Sequence, residues 1–564
     1  MATSLPTYTG GSTALVQPTG NPVTDSIIVG SKWGTGPAGT GAAVTFSFPA
    51  TVALFDTAAG VAGNYNPQEV TQGGYSAYLQ GFKGFDAAAQ AAGRGVLTAW
   101  ANVANIQFTE VAASDVNAGV LRFAYSGPPG LGASTYGVSD FPKDIPGAGD
   151  TWINSAFLFP EGWAAGTQNY LTMLHEAGHA IGLKHPHDTG LDGNPGWPAT
   201  PAVLEKIGDD TLVKYSTENL VMAYNDIPGI GAPVQAEFAP TTPMQIDIAA
   251  IQYLYGPNLA YNAGNTVYTY TSAARYNETL WDGGGTDTLR VDGSANAVVS
   301  LVPGTWSQLG LPITYSERNT TTLAIDKARP DLTDPRTVFI YDTVTIENAI
   351  GGGGNDKLIG NAVANRLQGG AGNDELDGAA GIDGAVFGAA RSSATLARTE
   401  AGWSVTTPAD GTDSLANIER LFFSDAALAL DTAAAGNAGQ TAQILRGLFG
   451  SGFLQNSTFV GIGLSLFDQG VAYADIVGLA IGTSVFHELA GSTSNTDFVK
   501  LVYKNVIGTE AGPDELANFV GLLDAGTFTQ ASLGVLACQV SFNTESVELL
   551  GLAASGIEFL PFGG

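Results

Sequence analysis

Apolar residues recur at helical spacing between about 83 and 104. Phe85, Ala89, Ala92, Val96, Trp100 and Val103 fall on one face and predict an amphipathic helix. VTFSFP (44–49), IQFTEV (106–111) and VLRFAY (120–125) read as strands, GDTWINSAF (149–157) as a further one, and a long helix is predicted from near Gln168. Strands mixed with helices over 26–255 predict an α/β domain. From 256 to 430, short β-like runs alternate with Gly, Asp and Asn turns. From 431 to 564 the 3.6-residue period returns in FVKLVYKNVIG (498–508), PDELANFVGLLDAG (513–526) and ASLGVLACQVSF (531–542), predicting an all-α domain. Residues 1–25 are rich in Gly, Thr and Pro and read as a tail or short propeptide. The expected fold class is therefore multidomain.

Charge changes the picture next. The 564 residues carry 52 acids against 22 bases, a net charge of −30. A phosphate backbone needs a positive face, so nucleic acid is excluded as a partner, whereas cations are favoured. No apolar run is long enough to predict a membrane span. Cys538 is the one cysteine and is expected to be buried, and a single cysteine rules out an intrachain disulfide framework. The opening segment MATSLPTYTGGSTALVQPTG has neither the basic nor the apolar region of a Sec signal, so export, if it occurs, is expected to read another part of the chain.

Four of the five histidines fall in HEAGHAIGLKHPH (175–187), which fits H-E-x-x-H-x-x-G-x-x-H. His175 and His179 are i and i+4, so their rings leave one helical face and can share a tetrahedral ion. Gly182 can take positive φ and end the helix, letting His185 return as third ligand. Three neutral ligands leave a zinc ion its full charge and one open position, where bound water can drop from pKa ~15.7 towards ~7. Glu176 is placed to take that proton and return it to the leaving amine. A closed structural site would call for a fourth Cys or His and would not need Glu176. His187 reads as a loop residue beyond the ligand set. The pair His487-Glu488 is followed by Gly491 where a second histidine would stand, so it is not a zinc motif.

This segment resembles the metzincin zinc peptidases, and Pro186 after the third histidine resembles their serralysin branch. LVMAYND supplies Met222 and Tyr224 in the order of that family's methionine turn, with Ala223 where the family has Ser. SIIVGSKWG, IQFTEVA, TWINSAF and IDIAAIQYLYG are similar to serralysin landmarks. The resemblance implies a metzincin catalytic domain, an apolar floor at Met222, and at Tyr224 a switchable zinc ligand that can support an oxyanion. It also implies that the TWIN strand edges the cleft and receives a peptide as an added strand.

Residues 351–386 read as GGGGNDKLI, GNAVANRLQ, GGAGNDELD and GAAGIDGAV, a nine-residue period that resembles the calcium-binding parallel β-roll of RTX proteins. With two strands per coil, turns on one edge recur every eighteen residues, so Asp356 and Asp374 are expected to share an ion. Calcium takes six to eight oxygens, and turn carbonyls around Gly352, Gly354, Gly369, Gly370, Ala371 and Gly372 are the candidates to join them. The other edge pairs Asp383 with uncharged Asn365, with Val363 replacing a turn glycine, so a weak or empty site is expected there. WDGGGTDTL and TIENAIGG resemble serralysin calcium segments and carry over Asp282, Gly284, Gly285, Asp287, Thr345 and Glu347. Asn262, Ala263 and Gly264 replace the family's arginine-containing turn.

Residues about 470–550, with SVFHELAGSTSNTDFVKLVYKNVIG and PDELANFV, resemble a helical domain of unknown function from bacterial secreted and surface-layer proteins. Together these resemblances imply a secreted zinc metalloendopeptidase acting on proteins, holding one catalytic Zn²⁺ and several structural Ca²⁺ and leaving by type I secretion. The competing reading is a non-catalytic, calcium-structured protein that docks to a surface layer or cell-surface partner. Intact Glu176 and three intact histidines speak against it.

Overall fold

The stripe from Phe85 to Val103 is buried along its whole length, with Trp100 and Val96 fully inside. In the computed structural model it forms helix α1 (Ala87–Val103), whose N-cap Asp86 accepts the Ala89 N–H. Residues 11–561 are described, apart from 53–54, 56–74, 115–116, 133–134, 187, 189–215, 225, 227–232 and 549–550. His187 and residues 1–10 of the predicted tail lie outside them.

The described chain divides into two compact units, 11–287 with 303–346 and 288–302 with 347–561. In the first, the part of the predicted tail that is described is ordered: Thr13–Leu15 (β1) pairs antiparallel with Ser31–Trp33 (β2). The main sheet has five strands. Ala42–Ser47 (β3), Ile106–Glu110 (β4), Leu121–Ser126 (β5), Gly137–Ser139 (β6) and Thr151–Asn154 (β7) lie in the order β4-β3-β5-β7-β6. All neighbours are parallel except β6, which runs antiparallel to β7. This corrects the expected cleft edge. The TWIN strand is β7, second from the edge, and the short segment Gly137-Val138-Ser139 stands outside it. Three residues are too few to show a two-residue period, which is why the pattern missed them.

Burial explains the layering. Strand β5 is buried along its length, as a parallel strand covered on both faces must be. Its Arg122 is fully buried and forks onto Asp150 with bonds of 2.6 and 2.7 Å, so the charge is matched inside the core. Helices α2 (Gln168–Ala180) and α3 (Gln245–Tyr255) complete the layer, and Trp100 of α1 donates its indole N–H to Leu174 O of α2 at 3.1 Å. At the start of α2 the Thr167 side chain accepts the Tyr170 N–H. Thr167→Ala is expected to cost about 1 kcal/mol of stability, read by calorimetry, with α2 otherwise intact.

The second unit is built from rungs. Short parallel strands stack in two sheets, one through Thr288–Asp292, Asn348–Ile350, Arg366–Gln368, Gly384–Val386 and Arg420–Phe422. The other runs through Val298–Ser300, Lys357–Ile359, Glu375–Asp377 and Gly411–Ala416. Register places one apolar residue per rung inside. Leu289, Ala349, Leu367, Ala385 and Leu421 form one buried ladder, and Val299, Leu358, Leu376 and Leu415 the other. That is the physical content of the repeat: one inward side chain between two glycine-rich turns.

The helical segment belongs to the same unit. Its helices include Asn495–Ile507, Pro513–Asp524 and Gln530–Gln539, around a core with Leu448, Val460, Val477, Phe486, Phe498 and Cys538. Strand Ile557–Phe559 returns to pair with Ala427–Ala429, and buried Arg420 of the last rung bonds Asp431 and Asp468 at 2.6 and 2.7 Å. These contacts tie the helices to the rungs. Among the described residues no helix is long and apolar enough to cross a membrane.

Candidate functional site

Helix α2 presents His175 and His179 on one face, and its end is set by Gly182 at φ +113°. A Cβ there would stand 2.7 Å from Ser31 O, so glycine is needed for space as well as for the left-handed turn. The loop that follows is clamped by the N-terminal segment. Val29 N–H donates to Gly182 O at 3.0 Å, Lys184 N–H donates to Ile27 O at 2.7 Å, and Ile28 bridges Leu183. The buried Lys184 ammonium adds a 2.5 Å bond to Ser26 O. No sequence signal marked residues 26–29 for this role.

The clamp brings His185 Nε2 to 3.0 Å from both His175 Nε2 and His179 Nε2. Zinc bonds of about 2.0–2.1 Å in a tetrahedron place ligand atoms roughly 3.3 Å apart, so the three nitrogens fit one ion. Their tautomers agree with this. His175 Nδ1 is bonded to Val221 O at 2.8 Å, His179 Nδ1 to Leu183 O at 2.7 Å, and His185 Nδ1 to Asp188 Oδ2 at 2.9 Å. Each Nδ1 that donates a proton leaves its Nε2 lone pair for a metal. Burial holds His179 well below its ordinary pKa and so keeps it neutral. Asp188 was not among the residues singled out from sequence; its spacing of three from His185 is the signal that could have found it.

Glu176 lies on the same helix and is 5% exposed. Its Oε2 is buried without a hydrogen-bond partner, and burial pushes the carboxyl up to about 8. It shares a cavity of about 480 Å³ with His175, Leu171, Thr172, Tyr136, Gly137 of edge strand β6, and Tyr224. A buried carboxylate oxygen with nothing to bond is a group held ready for a proton or a cation.

Met222 is fully buried against α2. A Cβ on Gly178 would come within 2.6 Å of its sulfur, so Gly178 is required by this packing, a need the motif's two free positions concealed. Asp247 of α3 accepts the Val221 N–H at 2.7 Å and the Met244 N–H at 2.9 Å, holding the turn whose Val221 carbonyl orients His175. Tyr224 is 66% exposed, with its hydroxyl 3.3 Å from His185 Nδ1.

The candidate calcium residues fall in two places. In the first unit, turns 262–266 and 282–287 face each other. Thr266 N–H donates to Asp287 Oδ1 at 2.7 Å, Gly284 N–H to Asp282 Oδ1 at 2.5 Å, and Tyr268 O–H to Asp282 Oδ2 at 2.5 Å. Gly284 and Gly285 both have positive φ. Thr345 is exposed in the first unit, while half-buried Glu347 of the second accepts the Asn365 side-chain N–H at its carbonyl.

In the second unit, the carboxylates form ladders along both edges of the rungs. Asp356 Oδ1 accepts the Ala297 N–H, Asp374 Oδ1 the Asp356 N–H, and Asp383 Oδ1 the Asn365 N–H, each at 2.7 Å. The ladders do not end with the repeat. Asp374 N–H donates to Asp413 and Asp383 N–H to Glu419, both at 2.9 Å. Burial raises Asp374 to about 6 and Asp383 and Asp413 to about 7, with neighbouring carboxylates adding to each. Oδ2 of Asp374 and of Asp383 is buried without a hydrogen bond. Hard oxygens gathered with excess negative charge suit calcium.

Residues 335–430 match the family described as peptidase M10 serralysin C terminal, and residues 480–541 match a domain of unknown function (DUF4214). The chain is 32% identical over 313 residues to metalloprotease AprA of Pseudomonas entomophila, covering 52% of this chain and 57% of that protein. It is 31% identical over 352 residues to serralysin of Proteus mirabilis (58% and 61%), and 32% identical over 297 residues to serralysin C of Dickeya chrysanthemi (50% and 55%). The chain thus spans between half and two thirds of the length of these curated relatives. With the histidine triad, the methionine turn and the matched C-terminal segment in one polypeptide, the chain is similar to the serralysin-type zinc metalloproteases and, over residues 480–541, to a domain of unknown function.

Proposed function

We propose that the chain is a secreted, calcium-stabilised zinc endopeptidase that hydrolyses peptide bonds in proteins. The observation that carries this reading is the convergence of three Nε2 atoms, each Nδ1 already bonded, beside the buried Glu176 carboxylate. The reading gives the chain an α/β metzincin catalytic domain, a parallel β-roll and an all-α C-terminal domain. His175, His179 and His185 would hold the zinc, which when bound supplies Lewis-acid polarisation of the scissile carbonyl and a more acidic water. Glu176 takes the proton from the attacking water and delivers it to the departing amine nitrogen. The side of β6 that pairs with no other described strand offers backbone groups to an extended peptide, which tolerates many side chains and suits a protein-degrading enzyme. Met222 supports the helix at Gly178, and Asp188, Val221 and Leu183 keep the three rings oriented.

Calcium at the turns of the 351–383 repeat, and at the turn of Asp282 and Asp287, would join the folding of the chain to the calcium-rich exterior. Export by a type I route accords with that linkage, because the acidic rungs repel one another until a cation is present.

The test is digestion of casein by the purified chain with zinc, after chelation, and after zinc is restored. Cleavage should vanish on chelation and return with zinc. Casein left intact by a chain shown to hold one zinc overturns the reading. The Tyr224 hydroxyl is placed at the rim, where a swing of its ring can bring it to the developing oxyanion. Tyr224→Phe is therefore expected to lower kcat by about 10- to 100-fold with KM little changed.

A further inference from the structure

Four of the chain's 19 tyrosines, Tyr261, Tyr268, Tyr270 and Tyr276, fall in one short stretch that ends at Trp281. The zinc chemistry makes no use of their rings. Tyr268 and Tyr270 stand two apart on strand Val267–Thr271, so both leave one face, while Val267, Thr269 and Thr271 on the other face are exposed. Strand Glu278–Leu280 brings Glu278 to the same place, and helix α1 contributes Asn102. The result is a cavity of about 180 Å³ in the first unit, walled by Tyr261, Tyr268, Tyr270 and Trp281, with Glu278 and Asn102 among its polar groups.

The carboxylate is the member that asks for a ligand. Tyr270 O–H donates to Glu278 Oε1 at 2.8 Å, and Thr241 O–H reaches Oε2 at 3.3 Å. Neither partner carries a charge. The cation nearest in sequence, Arg275, is bonded to Glu237 at 3.3 Å, and among the described residues Glu278 forms no ion pair. Asp282 adds a second negative charge, its Oδ2 accepting the Tyr268 O–H at 2.5 Å. Burial raises the Tyr261, Tyr268 and Tyr270 phenols, and the charges of Glu278 and Asp282 raise them further, so all three stay un-ionised.

The walls are also fixed in advance. Donation to a carboxylate holds the tips of Tyr268 and Tyr270. Trp281 donates its indole N–H to Asn258 O at 3.1 Å and packs edge-on against Tyr341, with ring centres 5.6 Å apart. Rings already in place spare a ligand the cost of ordering them. Negative charge withdrawn from water calls for a cation. A hard metal ion is a poor match, because calcium takes six to eight oxygens and these walls are mostly rings. An organic ammonium ion is a good one, since aromatic faces attract it and the carboxylate balances its charge.

We propose that this cavity binds an alkylammonium group, with Glu278 as counter-ion and Tyr261, Tyr268, Tyr270 and Trp281 as its walls. The site shares no lining residue with the cavity of Glu176, so it does not rest on the peptidase reading. Calcium held by Asp282 and Asp287 would take up the charge of Asp282 and leave Glu278 to the organic cation.

Choline and butylammonium, each titrated against the full chain in excess calcium and followed by ligand-observed NMR, test the site. At least one should bind, with its N-alkyl protons moved upfield by the surrounding rings. The uncharged carbon isostere of choline should bind about tenfold more weakly or worse. Binding of choline alone assigns a quaternary ammonium, and of butylammonium alone a primary one. Glu278→Gln keeps an oxygen for the Tyr270 O–H and removes the charge, so it should weaken binding by about tenfold or more while the circular dichroism matches that of the unmodified chain. Asn102→Lys leaves Glu278 in place and tethers an ammonium at the cavity wall, and should exclude both probes. Failure of both ions to bind, equal binding of the isostere, or undiminished binding in a folded Glu278→Gln chain overturns the site. If that variant does not fold, undiminished binding in Asn102→Lys overturns it.

Discussion

Glu176→Gln is expected to reduce peptide hydrolysis by about 10²- to 10⁴-fold while the zinc content stays at one per chain. Glutamine matches the shape of the side chain and removes only its ability to take a proton. None of the three converging nitrogens comes from residue 176, so metal affinity has no direct reason to fall. The loss should appear in kcat, because substrate contacts along β6 and the cavity wall are untouched. Burial pushes the carboxyl up to about 8 against the opposing effect of a hydrogen bond with Ser139, and a dication nearby lowers it again. A base works only when ionised, so activity should rise with pH through that group's pKa, and the residual rate of the Gln variant should lack this limb. A fluorogenic peptide assay over pH, with zinc measured on the same samples, separates the outcomes. Activity within a factor of a few of the unmodified chain would show that Glu176 is not the base.

The sequence carried the zinc geometry because an i, i+4 spacing on a helix is itself a statement about space, and Gly182 marked where that helix had to stop. It carried the rungs because a nine-residue period fixes one inward residue per strand. What it could not carry were partners distant in the chain. Ile27 and Val29 hold the loop of His185 from more than 150 residues away, and nothing in their own pattern announces it. Strand β6 has three residues, too few for periodicity, so the cleft edge was assigned to its neighbour β7. Asp413 escaped because its rung follows Asp374 by 39 residues instead of eighteen, a hairpin having been inserted between them. Tyr224 is found through the methionine turn, but the 3.3 Å contact of its hydroxyl with His185 Nδ1 is a detail of rotamer that spacing does not encode.

Removing calcium should destabilise the second unit more strongly than any single substitution, and the effect should invert with pH. In the calcium-free chain Asp374, Asp383 and Asp413 hold their protons to about 6, 7 and 7 when folded, against roughly 4 for an ordinary aspartate in an unfolded chain. The folded state then binds protons that the unfolded state does not. The stability this gives is fully present below about pH 4 and is lost as pH rises through 6 to 7. With calcium present the cation takes the place of those protons, so its binding strengthens over the same interval. Each site adds about 4 kcal/mol when free calcium is a thousandfold above its Kd. The calcium-free chain should therefore melt at lower temperature at pH 8 than at pH 5, and the calcium-loaded chain should show the opposite order. The Glu176→Gln background, with zinc restored after chelation, prevents self-digestion from masking the transition. Melting temperatures that ignore calcium at pH 8, or that rise with pH in its absence, would mean that the buried carboxylates of the rungs are not waiting for a cation.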